Sequence, residues 1–518
     1  MASTPSSEVA ADKTFLGESN AERVASIQDG EAHLHVSHKY TSHVQMKKQF
    51  GTIATLGIAF SILNSWVAES GSMLGPIALG GPVTIIWGCV AGAVFTAILC
   101  ASFAEMASAL PGAGGPYHYT YVVCGPGHRK FLSFVAGWSN TVAWWFIASS
   151  AALFLASFIS GMAVLTYPDY VPTTWQVWLI YVGIVVLNTV IAIGGNRIMS
   201  LLTSASLYWS LASFLVCLIT TVAMHAGKPY EPASFVFGNF SNESGWSSAG
   251  TAFVIGWMLS TYNVPGLLEE MERPQVEVPR AMVGAILTGF VTSFTFLVAL
   301  LFCVTDMNEI VTSPTGVPVL VIFYQSTGSQ AAAIALTCLI FVSIMFSEIG
   351  GILISGRTTW AFARDNGMPF SEYLSHLDER TQSPIRATPL SSFLSIAYGA
   401  IYIGSPVAFS SIVASSIMML ITTYCLPQAV LAIRGRHHLP PRPFDLGRAG
   451  WTLNALAPIM VVFAFVILSF PTTLPVTVET MNYLCVIVVG VWVLIIGFYF
   501  TVKKGEYQGP VLGIAPHD

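Results

Sequence analysis

The sequence predicts an all-α membrane protein with twelve transmembrane helices, on the basis of its composition, its apolar runs and its charge distribution. Of its 518 residues, 54% are hydrophobic and only 9% are charged, whereas about a quarter of the residues in soluble domains are charged. Eleven runs free of Asp, Glu, Lys, Arg and His are long enough to cross a bilayer core, which takes about 20 apolar residues. One run of 47 residues is divided by Gly404, Ser405 and Pro406, so it supplies two helices. In chain order the runs are 49–68, 70–104, 131–168, 170–196, 198–224, 244–268, 281–305, 310–347, 387–433, 449–478 and 480–502.

The basic residues predict the orientation. If the N-terminus is cytoplasmic, 20 of the 21 Lys and Arg residues lie on the cytoplasmic side, and only Lys228 lies outside. Cytoplasmic loops of membrane proteins are enriched in Lys and Arg. The loop with Lys228 also carries the two N-glycosylation sequons, at Asn239 and Asn242, which require a lumenal or extracellular face. Both ends of the sequence are therefore expected in the cytoplasm.

Two of the predicted helices contain residues that interrupt a helix. In the sixth run Pro265 cannot donate a backbone hydrogen bond and Gly266 is flexible, and in the first run Asn64 and Ser65 lie near the middle. Backbone freed in this way is tolerated in a membrane only where it faces protein, water or a ligand. Interruptions five helices apart are typical of an inverted five-helix repeat with a binding site at mid-membrane, although a simple kink at Pro265 is the alternative. The expected site residues at the two interruptions are Asn64, Ser65, Trp66, Val67, Tyr262, Asn263, Val264 and Pro265.

This reading gives an organisation into two repeats and two further helices. The polar N-terminal tail and the loops take the remaining residues. The expected segments are a disordered cytoplasmic tail 1–48, helices 1–5 at 49–226, an extracellular loop 227–247, helices 6–10 at 248–433, a cytoplasmic loop 434–448, helices 11–12 at 449–502 and a cytoplasmic tail 503–518.

Four motifs carry a resemblance to a known family. Residues 102–121 (SFAEMASALPGAGGPYHYTY), 131–138 (FLSFVAGW), 269–280 (EEMERPQVEVPR) and 358–371 (TTWAFARDNGMPFS) resemble, in the expected order, patterns of the amino acid–polyamine–organocation superfamily. The sequences ILNSW in the first helix and GGPVTIIWG at the start of the second are most similar to those of fungal GABA/choline-type permeases. The resemblance spans about 47–504 and leaves only the two tails outside.

The resemblance implies a fold, an activity and a gate. It implies the leucine-transporter fold, with two inverted five-helix repeats and two added helices, and proton-driven import of amino acids or organic amines. The motif at 269–280 would form a cytoplasmic gate at the end of the sixth helix. The implied gate residues are Glu269, Glu270, Arg273, Arg280 and Arg364. Many relatives have an acidic residue and a His just before the Glu pair, where this chain has Tyr262 and Gly266, so no relative's substrate carries over.

Glu348 is the candidate for coupling and substrate recognition. It lies nine residues, or about 13 Å of helix, before Arg357, which places it near the middle of the membrane if Arg357 is at the cytoplasmic interface. It could carry a proton, act as counter-ion to a substrate ammonium, or be a protonated structural side chain. Glu69 lies beyond the first interruption, and an extracellular vestibule is favoured for it over the site itself.

Aromatic side chains near the interruptions could line the pocket, since a ring face attracts an ammonium group. The candidates are Trp66, Trp144, Trp145, Trp257 and Tyr262, with packing against lipid or protein as the alternative for each; of these, Trp144 is added to the substrate-site prediction.

The expected function is a secondary active transporter, and an enzyme is not expected. No HExxH or GxSxG motif, metal-ligand spacing, cofactor motif or nucleic-acid footprint occurs in the sequence. The expected partners are an amine or amino-acid substrate, protons and the lipid bilayer. A non-transporting nutrient receptor and an exchanger or exporter remain alternatives. The plasma membrane is the expected location, while the substrate, the ion stoichiometry and the oligomeric state stay open.

Overall fold

The computed structural model describes residues 60, 64–110, 115–195, 199–259, 274–378, 383–478 and 480–510. Within these ranges every regular secondary-structure element is a helix. The predicted tail at 1–48 and the predicted interruption at 262–266 lie outside them.

Nineteen α-helices follow one another through the described ranges. They are α1 Ser65–Ser72, α2 Leu74–Ala78, α3 Gly81–Ala109, α4 Pro116–Val123, α5 Arg129–Thr166, α6 Thr174–Gly194, α7 Met199–His225, α8 Ala233–Gly238, α9 Ala249–Leu259, α10 Pro274–Phe302, α11 Met307–Thr312, α12 Pro318–Thr327, α13 Gln330–Arg364, α14 Ser371–Leu374, α15 Ala387–Gly399, α16 Ile401–Gly404, α17 Pro406–Arg434, α18 Ala449–Leu468 and α19 Leu484–Phe498. A 3₁₀ turn at Arg436–His438 and a π-helical turn at Tyr499–Lys503 complete the set.

Nine helices of the described chain are long and apolar enough to cross a membrane: α3, α5, α6, α7, α10, α13, α17, α18 and α19 with its π-helical extension. This agrees with a multi-pass membrane protein. The other three predicted spans correspond to the shorter helices α1, α9 and α15. The residues next to α1 and α9, at 61–63 and 260–273, lie outside the described ranges.

Local sequence explains where several long helices begin. Thr173 and Gln176 form a capping box at the start of α6, and Ser329 accepts a hydrogen bond from Ala332 N at the start of α13. In the long run 387–433, α16 ends at Gly404 and Ser405 caps α17, which starts with Pro406. These side chains satisfy backbone N–H groups that have no partner within the helix.

The helices α5 and α13 run antiparallel in close contact. A methyl group added at Gly137 of α5 would lie 2.3 Å from Phe362 Cε2 of α13, and one added at Gly351 of α13 would lie 4.0 Å from Ala148 Cα of α5. The absence of a side chain at Gly137 therefore allows the two backbones to approach. Large apolar side chains are exposed on α6, α7, α18 and α19, as expected for surfaces that face lipid.

Hydrogen bonds of basic side chains distinguish two ends of the helix assembly. At one end, which we call the basic end, Arg434 of α17 donates to Val123 O at 2.7 Å, and Lys503 donates to Asn366 Oδ1 at 3.3 Å. At the opposite end Lys228 donates to Ser326 O at 3.1 Å.

Candidate functional site

The predicted interruption of the first helix coincides with a change of backbone conformation. Asn64 has φ 30° and ψ 53°, which is left-handed, and α1 begins at the next residue. Asn is one of the few residues that adopt this conformation readily. The Asn64 N–H donates to Phe60 O at 2.6 Å, and its carbonyl accepts from Val67 N at 2.9 Å. Asn64, Ser65, Trp66 and Val67 are all buried.

The side chain of Trp66 packs inside the protein. Its indole Nε1 donates to Ser210 Oγ of α7 at 2.9 Å, and the Ser210 hydroxyl donates to Asn64 Oδ1 at 2.7 Å. Its ring meets Phe296 of α10 edge-on, with 5.1 Å between centroids. Trp66 thus joins α1 to α7 and α10 in this conformation, as a packing residue with no accessible surface.

Glu348 lies in the middle of α13 with no accessible surface. It is 18 residues after the first residue of this 35-residue helix, Gln330, and 16 before the last, Arg364. Arg357 is two turns inside the helix rather than at its end, but the central position of Glu348 still follows. Neither carboxyl oxygen of Glu348 has a hydrogen-bond partner among the described residues. An unpaired charge in such a place is costly, so intramembrane carboxyl groups of this kind mark ion or substrate pathways.

A hydroxyl network is centred on Tyr181 of α6. Its hydroxyl donates to Ser395 O of α15 at 2.6 Å and lies 2.8 Å from Ser149 Oγ of α5. This network joins α5, α6 and α15, and all three of these helices pack against α13.

A small cavity lies between α4, α5, α13 and α17. Its volume is about 30 Å³, which is enough for about two water molecules. Trp144, a predicted site residue, is in its wall, together with Tyr117, Asn140 and Tyr424. Trp145, the neighbouring candidate, donates from its indole to Thr359 Oγ1 at 3.0 Å and to Ser391 Oγ at 3.1 Å, so it serves packing.

Tyr117 and His118 of α4 contact Asp365, which follows the last residue of α13. Tyr117 OH donates to Asp365 Oδ2 at 2.7 Å, and His118 Nε2 is 3.1 Å from the same oxygen. Burial alone would raise the pKa of Asp365, but the hydrogen bond from His118, the Arg364 charge and the hydrogen bond from Tyr117 lower it below its ordinary value. The ionised carboxylate thus attaches α4 to α13 at the basic end.

The last described stretch of the chain covers this contact from the basic end. Tyr507 is fully buried, and its ring packs against Phe134 at 5.3 Å and Phe362 at 6.0 Å. Its hydroxyl lies 3.0 Å from Ser133 Oγ of α5. Lys503 pairs with Glu506 at 2.9 Å.

Glu105, near the end of α3, holds the loop between α17 and α18. Its buried carboxylate accepts from Arg436 Nη2, from Arg442 Nε at 2.8 Å and from Leu446 N at 3.1 Å. Asp445 accepts from the same two arginines. Burial of a carboxylate is tolerated when charges and hydrogen bonds compensate it in this way.

Comparison with known proteins identifies the family. The family model described as amino acid permease matches residues 50–492. This chain belongs to the amino acid permease family. It is 33% identical to the choline transporter of Saccharomyces cerevisiae over 86% of this chain and 80% of that protein. It is 33% identical to a putative amino acid/polyamine transporter of Macrophomina phaseolina over 83% and 96% of the two chains. It is 27% identical to the GABA-specific permease of Saccharomyces cerevisiae over 98% and 90%.

Family membership makes this chain a transporter and not an enzyme, as the sequence motifs predicted. Two of those motifs meet in space, because Tyr117 and His118 come from 102–121 and Asp365 comes from 358–371. These two motifs indicated the family, but neither motif alone indicates a role for Tyr117, His118 or Asp365. The available signal in the sequence was an acidic residue, Asp365, next to Arg364 in one motif and a histidine, His118, in the other.

The remaining predicted residues fall into two groups. Tyr262, Asn263, Val264, Pro265, Glu269, Glu270 and Arg273 lie outside the described residues. Of the other gate residues, Arg280 is exposed. Arg364 Nε lies 3.4 Å from Asp365 Oδ1, and its guanidinium lies over the Trp360 ring at 5.0 Å.

Other predictions concern the opposite end of the helix assembly and Glu69 of α1. Asn239 and Asn242 are both exposed, and Asn242 Nδ2 donates to Trp246 O at 2.7 Å. Glu69, expected in an aqueous vestibule, is only 3% exposed in this conformation. Among the described residues no group of three or more His, Cys, Asp or Glu side chains is placed to hold a metal ion.

Proposed function

We propose that this chain is a proton symporter that imports an amino acid or a small organic amine by alternating access. The observation that carries the proposal is Glu348, a buried carboxyl group in the middle of a membrane-length helix, with no hydrogen-bond partner among the described residues. Such a group is stable when it takes a proton or pairs with a cation, and exchange of either during the transport cycle would link its charge to transport. The names of the relatives, which include choline and GABA transporters, support the substrate class.

The proposed substrate site combines Glu348 and Trp144 with the two interrupted segments. Asn64, Ser65, Trp66 and Val67 would contribute backbone groups from the first helix, and Tyr262, Asn263, Val264 and Pro265 from the sixth. The left-handed conformation of Asn64 supports this, because it ends the regular helical geometry at the residue before α1. In this proposal the helices form two inverted five-helix repeats plus two, as in the leucine-transporter fold.

The proposed cytoplasmic gate lies at the basic end. The positive-inside rule assigns this end, and both ends of the chain, to the cytoplasm; the plasma membrane is the proposed location. The contact of Tyr117 and His118 with Asp365 closes the exit in the present conformation, and Glu269, Glu270, Arg273, Arg280 and Arg364 are proposed to take part when the exit opens or closes.

The test is uptake in a transport-deficient fungal host. Labelled choline, GABA and basic and neutral amino acids are supplied with and without a protonophore. We expect concentrative uptake of at least one amine or amino acid that the protonophore abolishes. Uptake of none of them, with protein present in the membrane, would favour a receptor, and uptake that needs substrate on the other side would favour an exchanger.

Glu348→Gln tests the coupling role. This variant keeps the size of the side chain but cannot be ionised. We expect uptake to fall strongly and to lose its pH dependence, because the variant can no longer bind and release the proton that the proposed coupling requires. Glu309→Gln, at an exposed position of α11, is the control and should transport normally. Full-rate transport by Glu348→Gln with unchanged pH dependence would refute proton coupling through this residue.

A further inference from the structure

The cavity between α4, α5, α13 and α17 lies on the path from Glu348 to the basic end. Ile354 and Ala361 of α13 line it, and they follow Glu348 by six and 13 residues, or about 9 and 20 Å of helix. Its far wall includes Tyr117, whose hydroxyl is bonded to Asp365. The cavity is therefore a chamber between the central carboxyl group and the closed contact of α4 with α13.

Three polar side chains in the chamber, Asn140, Thr141 and Thr358, offer oxygen atoms that can accept hydrogen bonds. Asn140 is 5% exposed, and its Oδ1 has no partner among the described residues. The hydroxyl of Thr141 donates to Gly137 O at 2.8 Å, and that of Thr358 donates to Ile354 O at 3.0 Å. Because their protons are used within their own helices, these hydroxyl oxygens have only lone pairs left for a ligand.

The rest of the lining favours a cation over an anion. Three aromatic side chains, Tyr117, Trp144 and Tyr424, are among the residues around the chamber. Ring faces attract a desolvated ammonium group. None of the eleven residues that line the chamber is acidic or basic, so a carboxylate or phosphate has no charged partner there, and an ammonium group is held without a full opposite charge.

We propose that this chamber is a second binding site, which receives the N–H-bearing ammonium group of the substrate on its way to the cytoplasm. The ammonium group takes the space that two water molecules would fill. One of its N–H groups donates a hydrogen bond to Asn140 Oδ1. Because the lining is neutral, binding is weak enough for release, as transport through successive sites requires. The inference rests on the proposed amine transport and adds a preference for primary over quaternary amines at this site.

The test measures the half-saturation concentration of transport separately for substrate added at each face of the membrane. Right-side-out and inside-out vesicles containing the full-length chain are assayed with labelled GABA and with its N-trimethyl analogue. For Asn140→Leu we expect the cytoplasmic-face half-saturation concentration for GABA to rise roughly tenfold, the effect of losing one hydrogen bond to a charged group. The value from the outer face and that for the trimethyl analogue should change less than twofold.

Two further variants keep the test meaningful if Asn140→Leu is not produced in folded form. Asn140→Asp adds a negative charge at the acceptor and should bind the ammonium group more tightly. It should therefore lower the half-saturation concentration for GABA at the cytoplasmic face, and slower release should lower the maximal transport rate. Thr358→Val removes one acceptor with little change of shape and should raise the cytoplasmic-face value about threefold. The control is Thr337→Val on the same helix, because Thr337 makes the same type of bond, to Ala333 O at 2.8 Å, but lies outside the chamber; it should leave both faces unchanged.

The outcomes separate this inference from the proposed function. Equal changes at the two faces would assign Asn140 to the central site and overturn the second site. No change at either face with Asn140→Leu or Thr358→Val would overturn it as well, as would a wild-type protein that transports only quaternary amines. A wild-type protein that transports no amine or amino acid would instead refute the proposed function.

Discussion

Replacing Asp365 with Asn should open the proposed cytoplasmic gate, and the hydrogen bonds set the size of the effect. Asp365 accepts from Tyr117 OH at 2.7 Å and from His118 Nε2 at 3.1 Å. A hydrogen bond to a charged group contributes about 1.5–3 kcal/mol, and one between neutral groups about 0.5–1.5 kcal/mol. Losing the charge from two bonds therefore weakens the closed state by about 2–3 kcal/mol.

This loss predicts a measurable change in the open population. When α4 separates from α13, water hydrates the side chain at position 365 in both the wild type and the Asn variant. The free-energy difference between the two proteins therefore lies in the closed state. Since every 1.4 kcal/mol is a factor of ten, the open fraction of Asp365→Asn should rise roughly 30- to 150-fold.

Cys124, at the end of α4, can report this change. It is a free cysteine and only 6% exposed. In a background with Ser at Cys338 and Cys485, a membrane-impermeant maleimide added to inside-out vesicles should label Cys124 faster in Asp365→Asn by the factor above. Cys217, which has no accessible surface, should remain unlabelled.

A control and a contrary result complete the design. Asp306→Asn removes a carboxylate that caps α11 at the opposite end, and it should not change the labelling of Cys124. If Asp365→Asn folds normally and its Cys124 is labelled within twofold of the wild-type rate, the contact of α4 with Asp365 does not hold the exit closed.

Two other predictions concern pH and the Glu105 ion pairs. The pKa of Asp365 lies below its ordinary value of 3.8, so its contribution to the closed contact is fully present above this value and is lost as the pH falls through the lowered pKa. The wild-type labelling rate of Cys124, divided by the rate for Asp365→Asn at the same pH to remove the loss of thiolate in acid, should stay constant between pH 8 and 5 and rise below about pH 4; a rise near pH 6 would contradict this. Glu105→Gln should destabilise the protein by about 3 kcal/mol, because Arg436 and Arg442 lose a carboxylate that is 1% exposed. Thermal melting in detergent should show this loss, and the double variant Glu105→Gln/Arg442→Gln should lose less than the sum of the two single variants; strict additivity would contradict the ion pair.

Much of the fold could be predicted from the sequence because lipid imposes simple rules. Long runs without charge predicted a helical multi-pass protein, and the structure and the family confirm it. The division of the run 387–433 was readable because Pro406 and Ser405 start a helix in a characteristic way. The twelve-span count stays a prediction, since α9 has only 11 described residues and the adjoining 260–273 lie outside the description.

The site was less accessible to sequence reasoning, because it depends on which side chains meet. Trp66 was expected at a pocket wall, but Ser210, Phe214 and Phe296 surround it in this conformation. Those partners lie more than a hundred residues away, and no local pattern identifies them. For the same reason the contact between His118 and Asp365 could not be found from either motif alone.

The burial of Tyr507 has a consequence for how the protein matures. Its ring packs against Phe134 of α5 and Phe362 of α13, so these two helices acquire this neighbour only when the chain has been synthesised as far as Tyr507. A protein truncated before Tyr507 would contain all nine long helices of the described chain and still have an unfilled space beside Phe362. Truncation before Tyr507 would thus leave a defect at the basic end of the helix assembly, away from the apolar surfaces of the long helices.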